Sequence, residues 1–428
     1  MAVAADISDG SRREPARRTH FAVRAEPSDG VAPCQWHLGL DGGNGGDEGV
    51  ALRGRPGCAN VECVHLLESL MHVGTGIIFQ NPEDKISDRE VYVRDLQLAL
   101  QAEELGFDSV WGVEHHFTDY TMCPDVLQFL TYMAGATKTI QLGSMVCVLP
   151  WHDPIRLAEQ VSMLDNLSGG RFIFGMGRGT GKIEFDGFRT DMGTARLRFK
   201  ESAELILTAL ETGVAEFHGE LIDQPRVDLR PRPVKTFRGR TYAAAISPES
   251  SQIMAELGVG LLIIPQKPWK VVERELAEYR EVFRTATGAE APPPIVSGWT
   301  FVDENADRAE ERARHYISGY WDTVVKHYQF NEPHLKDTPG YEHHGLMYDR
   351  LVAPGGAEAM AEFFIGLQIW GTPAQVFDKI VHLQHETQMD SYTGVFSYAG
   401  MPLEEADRSM RLFAREVMPE LKKLPLRS

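Results

Sequence analysis

From Met71 onward, short apolar runs alternate with longer segments in which apolar and charged positions mix at helical spacing. The apolar runs fall at 72–79, 109–113, 140–148, 171–175, 242–246, 259–264, 294–302 and 391–397 and read as strands. The intervening segments, 89–105, 125–136, 154–167, 195–212, 248–257, 268–286, 305–327 and 403–422, read as helices. The first of them stops at Leu105-Gly106, a C-cap signal. The third opens with Asp153 as N-cap and Pro154 in the first turn. Eight strands, most of them followed by a helix, predict an α/β fold of the (β/α)8 TIM-barrel type with a parallel sheet. A doubly wound open sheet is the alternative, but it does not require so regular a count.

Two stretches interrupt the rhythm. Residues 213–240 carry Pro225, Pro231 and Pro233, and residues 328–372 carry Pro333, Pro339-Gly340 and Pro354-Gly355-Gly356. Both read as long loops, which in a compact barrel are more often functional lids than accidents. The second falls between the seventh and eighth strands, where it can reach a rim site.

Residues 1–70 are unlike the rest. They contain no Lys and no Tyr and include the run Asp41-Gly-Gly-Asn-Gly-Gly-Asp-Glu-Gly49. Such a segment buries too little apolar surface to offset the entropy of ordering it. It is expected to be a disordered extension ahead of a barrel domain at 71–428, with Met71-His72-Val73-Gly74 reading as a natural start to the first strand. A regulatory or targeting tail is the other reading of the same residues.

Composition narrows the partners. Hydrophobic residues at 43% and charged residues at 24% are ordinary globular values, and the net charge of −18 repels a phosphate backbone. The basic stretch Arg230-Pro-Arg-Pro233 is too short to reverse that, so no nucleic acid is expected. No apolar run approaches 18 residues, so no membrane span is expected. The arginine pairs near the N-terminus have no apolar segment behind them, which argues against a secretory signal and makes the cytoplasm the default. Cys34, Cys58, Cys63, Cys123 and Cys147 show no metal-binding spacing and no disulfide framework.

Three places carry candidate chemistry, because catalytic groups of α/β barrels sit on loops leaving the C-terminal ends of strands. Glu114-His115-His116-Phe117 follows the second strand. Adjacent side chains there point to opposite sides, so one imidazole at most faces the barrel mouth. Three neighbouring ligands converge poorly on a metal, and none is expected. Gly175-Met-Gly-Arg-Gly-Thr-Gly181 follows the fourth strand. It fails the dinucleotide fingerprint, since the third glycine would fall at Thr180, and Glu184-Phe185-Asp186-Gly187 does not read as the helix that should follow. Its glycines let the backbone approach a ligand while Arg178 offers a planar fork to an anion. Ser247-Pro248-Glu249-Ser250-Ser251 opens the helix after the fifth strand, with free amides and two hydroxyls suited to a phosphate. Each place has a plainer reading: a structural histidine pair, a solvated arginine, an ordinary cap.

This series of runs, together with Val148-Leu149-Pro150, Asp153-Pro154-Ile155-Arg156, Ser168-Gly169-Gly170-Arg171-Phe172, Trp321-Asp322, Gly371-Thr372-Pro373 and Met418-Pro419-Glu420-Leu421, resembles the bacterial luciferase-like flavin monooxygenases over essentially all of 71–428. It is most similar to the α-subunit type. The resemblance implies that His115 is catalytic, that Arg178 holds the flavin phosphate with Ser247 and Ser250, and that Met145 and Val146 are joined by a non-prolyl cis peptide beneath the flavin. It implies a two-component enzyme that takes reduced FMN from a separate flavin reductase and passes one atom of O2 to a small organic substrate through a C4a-peroxyflavin. It implies a dimer as well, homodimeric or with a related subunit, packed through the helices at 125–136 and 154–167. The family also contains hydride-transfer enzymes that use the deazaflavin coenzyme F420, and non-catalytic flavin-binding subunits. Where luciferase α-subunits have a reactive cysteine, a glutamate before the phosphate-loop serine and a tryptophan near the flavin, this chain has Gly177, Ile246 and Pro265. Those departures put light emission in doubt and leave the oxygenation chemistry in place.

Overall fold

The computed structural model describes residues 37–39, 51–53, 70–245 and 247–425. The chain divides into two units, Met1–Leu67 and Glu68–Ser428. In the first, His37–Gly39 and Ala51–Arg53 form a short antiparallel pair. The expectation of disorder over 1–70 otherwise lies outside the described residues.

In the second unit eight parallel strands close on themselves. They are β1 (His72–Ile77), β2 (Ser109–Gly112), β3 (Gln141–Ser144), β4 (Phe172–Gly177), β5 (Thr241–Ala244), β6 (Gly260–Ile263), β7 (Ile295–Val302) and β8 (Ser391–Val395). Each pairs with the next, and β8 pairs with β1 to shut the barrel. Inside it Trp111, Tyr242, Leu262 and Ile295 pack together. Gly143 faces this plug: a Cβ there would lie 2.2 Å from the Trp111 ring, so the indole occupies the volume that a side chain on β3 would need.

Helices α1 (Asp88–Leu105), α2 (Val126–Ala136), α3 (Pro154–Ser168), α5 (Ala195–Thr212), α6 (Pro248–Glu256), α7 (Trp269–Thr287) and α8 (Ala306–Tyr328) follow the expected pattern. The caps are those read from sequence: Asp153 accepts the Arg156 amide, and Gly106 adopts the left-handed conformation that ends α1.

Elsewhere the structure departs from the expectations. A seven-residue helix, α4 (Lys182–Phe188), follows the glycine loop that was not expected to lead into one. The stretch 213–240 holds an antiparallel hairpin, Val214–His218 with Asp223–Asp228. The stretch 328–372 is largely helical: α9 (His334–Asp337), α10 (Glu342–Val352) and α11 (Gly356–Leu367), then a strand, Ile369–Gly371, beside β7. Its Pro-Gly pairs mark the breaks between short helices, with Gly340 and Gly355 at positive φ. Next comes α12 (Pro373–Thr387), started by a capping box of Thr372 and Gln375. The expected helix 403–422 is interrupted. After α13 (Leu403–Leu412) comes a π turn, Phe413–Val417, just ahead of Pro419, which has no amide to continue an α ladder. Among the described residues no helix is long and apolar enough to cross a membrane.

Candidate active site

A deep cavity opens at the C-terminal rim, and the loops after β2, β3, β4, β5 and β6 line it together with α8, α10 and α11. The loop after β2 is held rigidly. Glu114 is buried, and its carboxylate accepts the Val148 amide (2.9 Å) and faces the Nε2 atoms of His116 (3.2 Å) and His152 (2.7 Å). Burial alone would raise its pKa, but these hydrogen bonds outweigh it and hold the group below the usual carboxylate range. Glu114 is thus a strut between the loops after β2 and β3. His116 turns away and packs edge-on against Trp151 and Phe188, whereas His115 lines the cavity.

His115 Nδ1 lies 2.9 Å from Glu184 Oε1, which also accepts the His116 amide at 2.9 Å. Glu184 comes from α4, the helix absent from the sequence expectations. Burial pushes its carboxyl up. The neighbouring charge and hydrogen bond of His115 together with His327 more than reverse this and hold it at about 2. An ionised Glu184 fixes the hydrogen on His115 Nδ1 and leaves Nε2 facing the cavity, 3.3 Å from the Tyr328 hydroxyl. Burial drives Tyr328 well above its ordinary pKa, so that hydroxyl stays neutral. His115, Glu184 and His327 place one potential ligand atom each within 4.8 Å of one another. The His115–Glu184 contact has hydrogen-bond length, and Thr118 and Tyr328 hydroxyls take up other ring nitrogens of the two histidines. The trio therefore reads as a hydrogen-bonded network.

The other end of the cavity is built differently. Arg178, in the glycine loop after β4, stacks at 4.0 Å over the Tyr341 ring. Its Nη1 and the Nε of Arg196 are buried without hydrogen-bond partners, and both groups crowd the same point at Gly340. Burial lowers the pKa of Arg178. Neither guanidinium has a carboxylate in salt-bridge reach among the described residues, an arrangement that is costly until an anion arrives. Ser250, in the first turn of α6, lines the cavity beside them. Ser247 is committed to the cap: its Oγ accepts the Ser250 amide at 3.2 Å and lies 3.0 Å from the Ser250 hydroxyl. Ile246 lies outside the described residues. His344, on α10, also borders this end; burial and the nearby Arg178 push it down to about 3, and neither ring nitrogen has a partner.

Between the two ends, the Met145–Val146 peptide is cis and both residues line the cavity. Val146 explains Gly177, since a Cβ there would stand 2.4 Å from Val146 Cγ2. The 328–372 segment roofs the cavity with Phe330, Met347, Met360, Phe363 and Phe364. It docks on the glycine loop through the Tyr341 hydroxyl, which donates to the Gly179 carbonyl at 2.8 Å.

The chain is similar to known proteins over most of its length. The luciferase-like monooxygenase family matches residues 71–391. The chain belongs to that family. An alkanal monooxygenase alpha chain of Photobacterium leiognathi is 30% identical over 345 residues, covering 78% of this chain and 95% of the relative. The oxygenating constituent of 3,6-diketocamphane monooxygenase from Pseudomonas putida, solved with FMN, superposes with a TM-score of 0.65 at 20% identity, covering 83% of this chain and 100% of that one. The coenzyme F420 dependent tetrahydromethanopterin reductase of Methanopyrus kandleri superposes at 0.59, also at 20% identity, over 83% of this chain and 100% of its own.

In this member of the family the structure brings His115, Met145, Val146, Arg178 and Ser250 to one cavity, with Ser247 just behind. The sequence reading passed over Glu184, Arg196, His327 and His344. The only local signal for any of them was Glu184, six residues after Arg178 in a segment read as non-helical.

Proposed function

We propose that this protein is the oxygenating component of a two-component system. It takes reduced FMN from a separate flavin reductase and uses O2 to place one oxygen atom on a small organic substrate. The observation that carries this reading is the pair of buried, partnerless guanidinium nitrogens, Arg178 Nη1 and Arg196 Nε, in the cavity that Ser250 of α6 also lines. A phosphate monoester supplies the missing anion, accepting charge-assisted hydrogen bonds from both forks. FMN ends in such a group, and Met145, Val146 and Gly177 leave a floor on which a flat ring can lie.

Reduced FMN, when bound, would supply the activation of O2. The remaining work falls to the chain. The roof of Phe330, Met347, Met360, Phe363 and Phe364 keeps water out and favours an apolar substrate. His115 Nε2 holds or moves a proton inside the cavity, with the Tyr328 hydroxyl as its neighbour. Exposed Tyr132 on α2, with Met163 and Leu167 on α3, forms an apolar face for a second subunit, either another copy or a related chain.

The F420 hydride-transfer reading draws support from the shared fold of the Methanopyrus kandleri reductase. The reading as a non-catalytic subunit leaves the His115–Glu184 pair without a purpose. Anaerobic titration with reduced FMN and reduced F420 in parallel, followed by an oxygen pulse, separates them. Reduced FMN is expected to bind at micromolar concentration and to react with O2 on the protein. Binding of F420 with no binding of FMN would sink the proposal.

A further inference from the structure

Beyond His115 and Glu184, a third residue of the network has no role in the reading above. His327 lies at the end of α8, buried, with its ring stacked on Tyr120 at 4.5 Å and 19°. Its Nδ1 is 2.8 Å from Thr118 Oγ1, an oxygen that also accepts the Tyr120 amide at 3.4 Å. With that oxygen accepting from the backbone, the Thr118 hydroxyl hydrogen is free to point at Nδ1. The ring hydrogen then sits on Nε2. That atom faces Glu184 Oε2 at 3.5 Å, an ion-pair distance short of hydrogen-bond geometry, and both atoms are buried with no hydrogen-bond partner, so each is the other's nearest complement. Gly181 keeps this contact clear, since a Cβ there would lie 2.4 Å from Glu184 Oε2 and 3.2 Å from His327 Nε2.

We propose that His327 is a positioning residue that acts on His115 through Glu184. Its Nε2–H is the donor that faces the second carboxylate oxygen, and it keeps Glu184 ionised and in one rotamer. The first oxygen then accepts only from the His115 ring and the His116 amide, so His115 carries its hydrogen on Nδ1. This is the less populated tautomer of a free imidazole, and it turns a bare or protonated Nε2 toward the cavity. Thr118, His327, Glu184 and His115 thus form a line of fixed hydrogen-bond direction ending at the reacting space. The inference rests on the reading of His115 given above, but the tautomer can be observed without any cofactor.

The test uses the full chain labelled with ¹⁵N-histidine, with the His115 signals assigned by their loss in His115→Gln. In wild type His115 is expected to show the Nδ1–H pattern. In His327→Ala it should move toward a mixture dominated by Nε2–H, and turnover should fall about tenfold with substrate KM and flavin affinity unchanged. His327→Gln, whose amide can still donate to Glu184, should restore most of both. An unchanged His115 tautomer in His327→Ala would overturn the proposal, even if the variant were less stable. A stoichiometric, chelator-removable zinc ion bound by wild type and not by His327→Ala would also overturn it, because the trio would then be a metal site. Failure of FMN to bind would leave the tautomer result intact and would count against the functional reading alone.

Discussion

The two ends of the cavity follow opposite rules. Around His115 most polar groups are paired: Glu184 Oε1 with His115 and the His116 amide, and Glu114 with three more donors, while Glu184 Oε2 and His327 Nε2 face each other at 3.5 Å without a hydrogen bond. Around Arg178 the groups are left wanting. Arg178 Nη1, Arg196 Nε and both nitrogens of His344 are buried with no partner. A largely paired network holds geometry and tautomer before anything binds, which suits groups that must act on a reaction. An unsatisfied cluster stores affinity, because the ligand supplies what the protein omits. On the proposed function, one end serves the chemistry and the other grips the cofactor.

The largest effect expected from breaking this division is at His115. His115→Ala should leave flavin affinity in place while oxygen transfer to substrate falls about 10²–10⁴-fold, the usual worth of a positioned proton donor or acceptor. Consumed O2 should then emerge as hydrogen peroxide. The ratio of peroxide to product, measured also in His116→Ala, checks the assignment; loss of coupling only in the second variant would mean that the wrong imidazole was chosen.

At the gripping end, Arg178→Ala should weaken reduced FMN by roughly 1.5–3 kcal/mol, the range for a hydrogen bond to a charged group. The apo protein should lose little stability, because the partnerless buried Nη1 is removed together with the stack on Tyr341. Equilibrium binding and thermal melts check both halves, and an unchanged affinity would return Arg178 to a structural role.

A smaller effect concerns acid. Glu184 titrates at about 2 in the folded protein against an ordinary 4.5. A depressed carboxylate contributes stability that is present above the unfolded value and is lost as pH falls through the folded one. Glu184→Gln should therefore cost about 1–3 kcal/mol near neutrality. The gap in Tm from wild type should narrow between pH 4.5 and 2. A gap that does not vary with pH would contradict an ionised Glu184. The smallest effect is expected from removing residues 1–70, which should leave Tm and turnover nearly unchanged; a marked loss of either would show that the segment supports the barrel.

These two ends were unequally legible in the sequence. The barrel strands could be read because each is a short apolar run with a punctuating Gly, Pro or Asp. Arg178 and Ser250 could be read because glycines and a Ser-Pro cap announce an anion site locally. Glu184 and His327 could not, since they meet only when α4 and the end of α8 close over the rim; His327 carries no mark in its own stretch of chain, and Glu184 only its place six residues after Arg178. The roof was taken for a loop because its Pro-Gly pairs outweighed three short helical patterns. The helix at 373–387 was passed over although Thr372-Pro373-Ala374-Gln375 spells its capping box.

If grip and chemistry are separate, their losses should add. The most direct measurement is a double-mutant cycle with Arg178→Ala, His115→Ala and the pair, reading affinity for reduced FMN and the fraction of O2 coupled to product in each. The expected result is crossed and additive: Arg178→Ala lowers affinity alone, His115→Ala lowers coupling alone, and the double variant shows both within about 0.5 kcal/mol of the sum. A coupling energy above about 1 kcal/mol, or a His115→Ala variant that loses affinity as Arg178→Ala does, would contradict the division between the two ends.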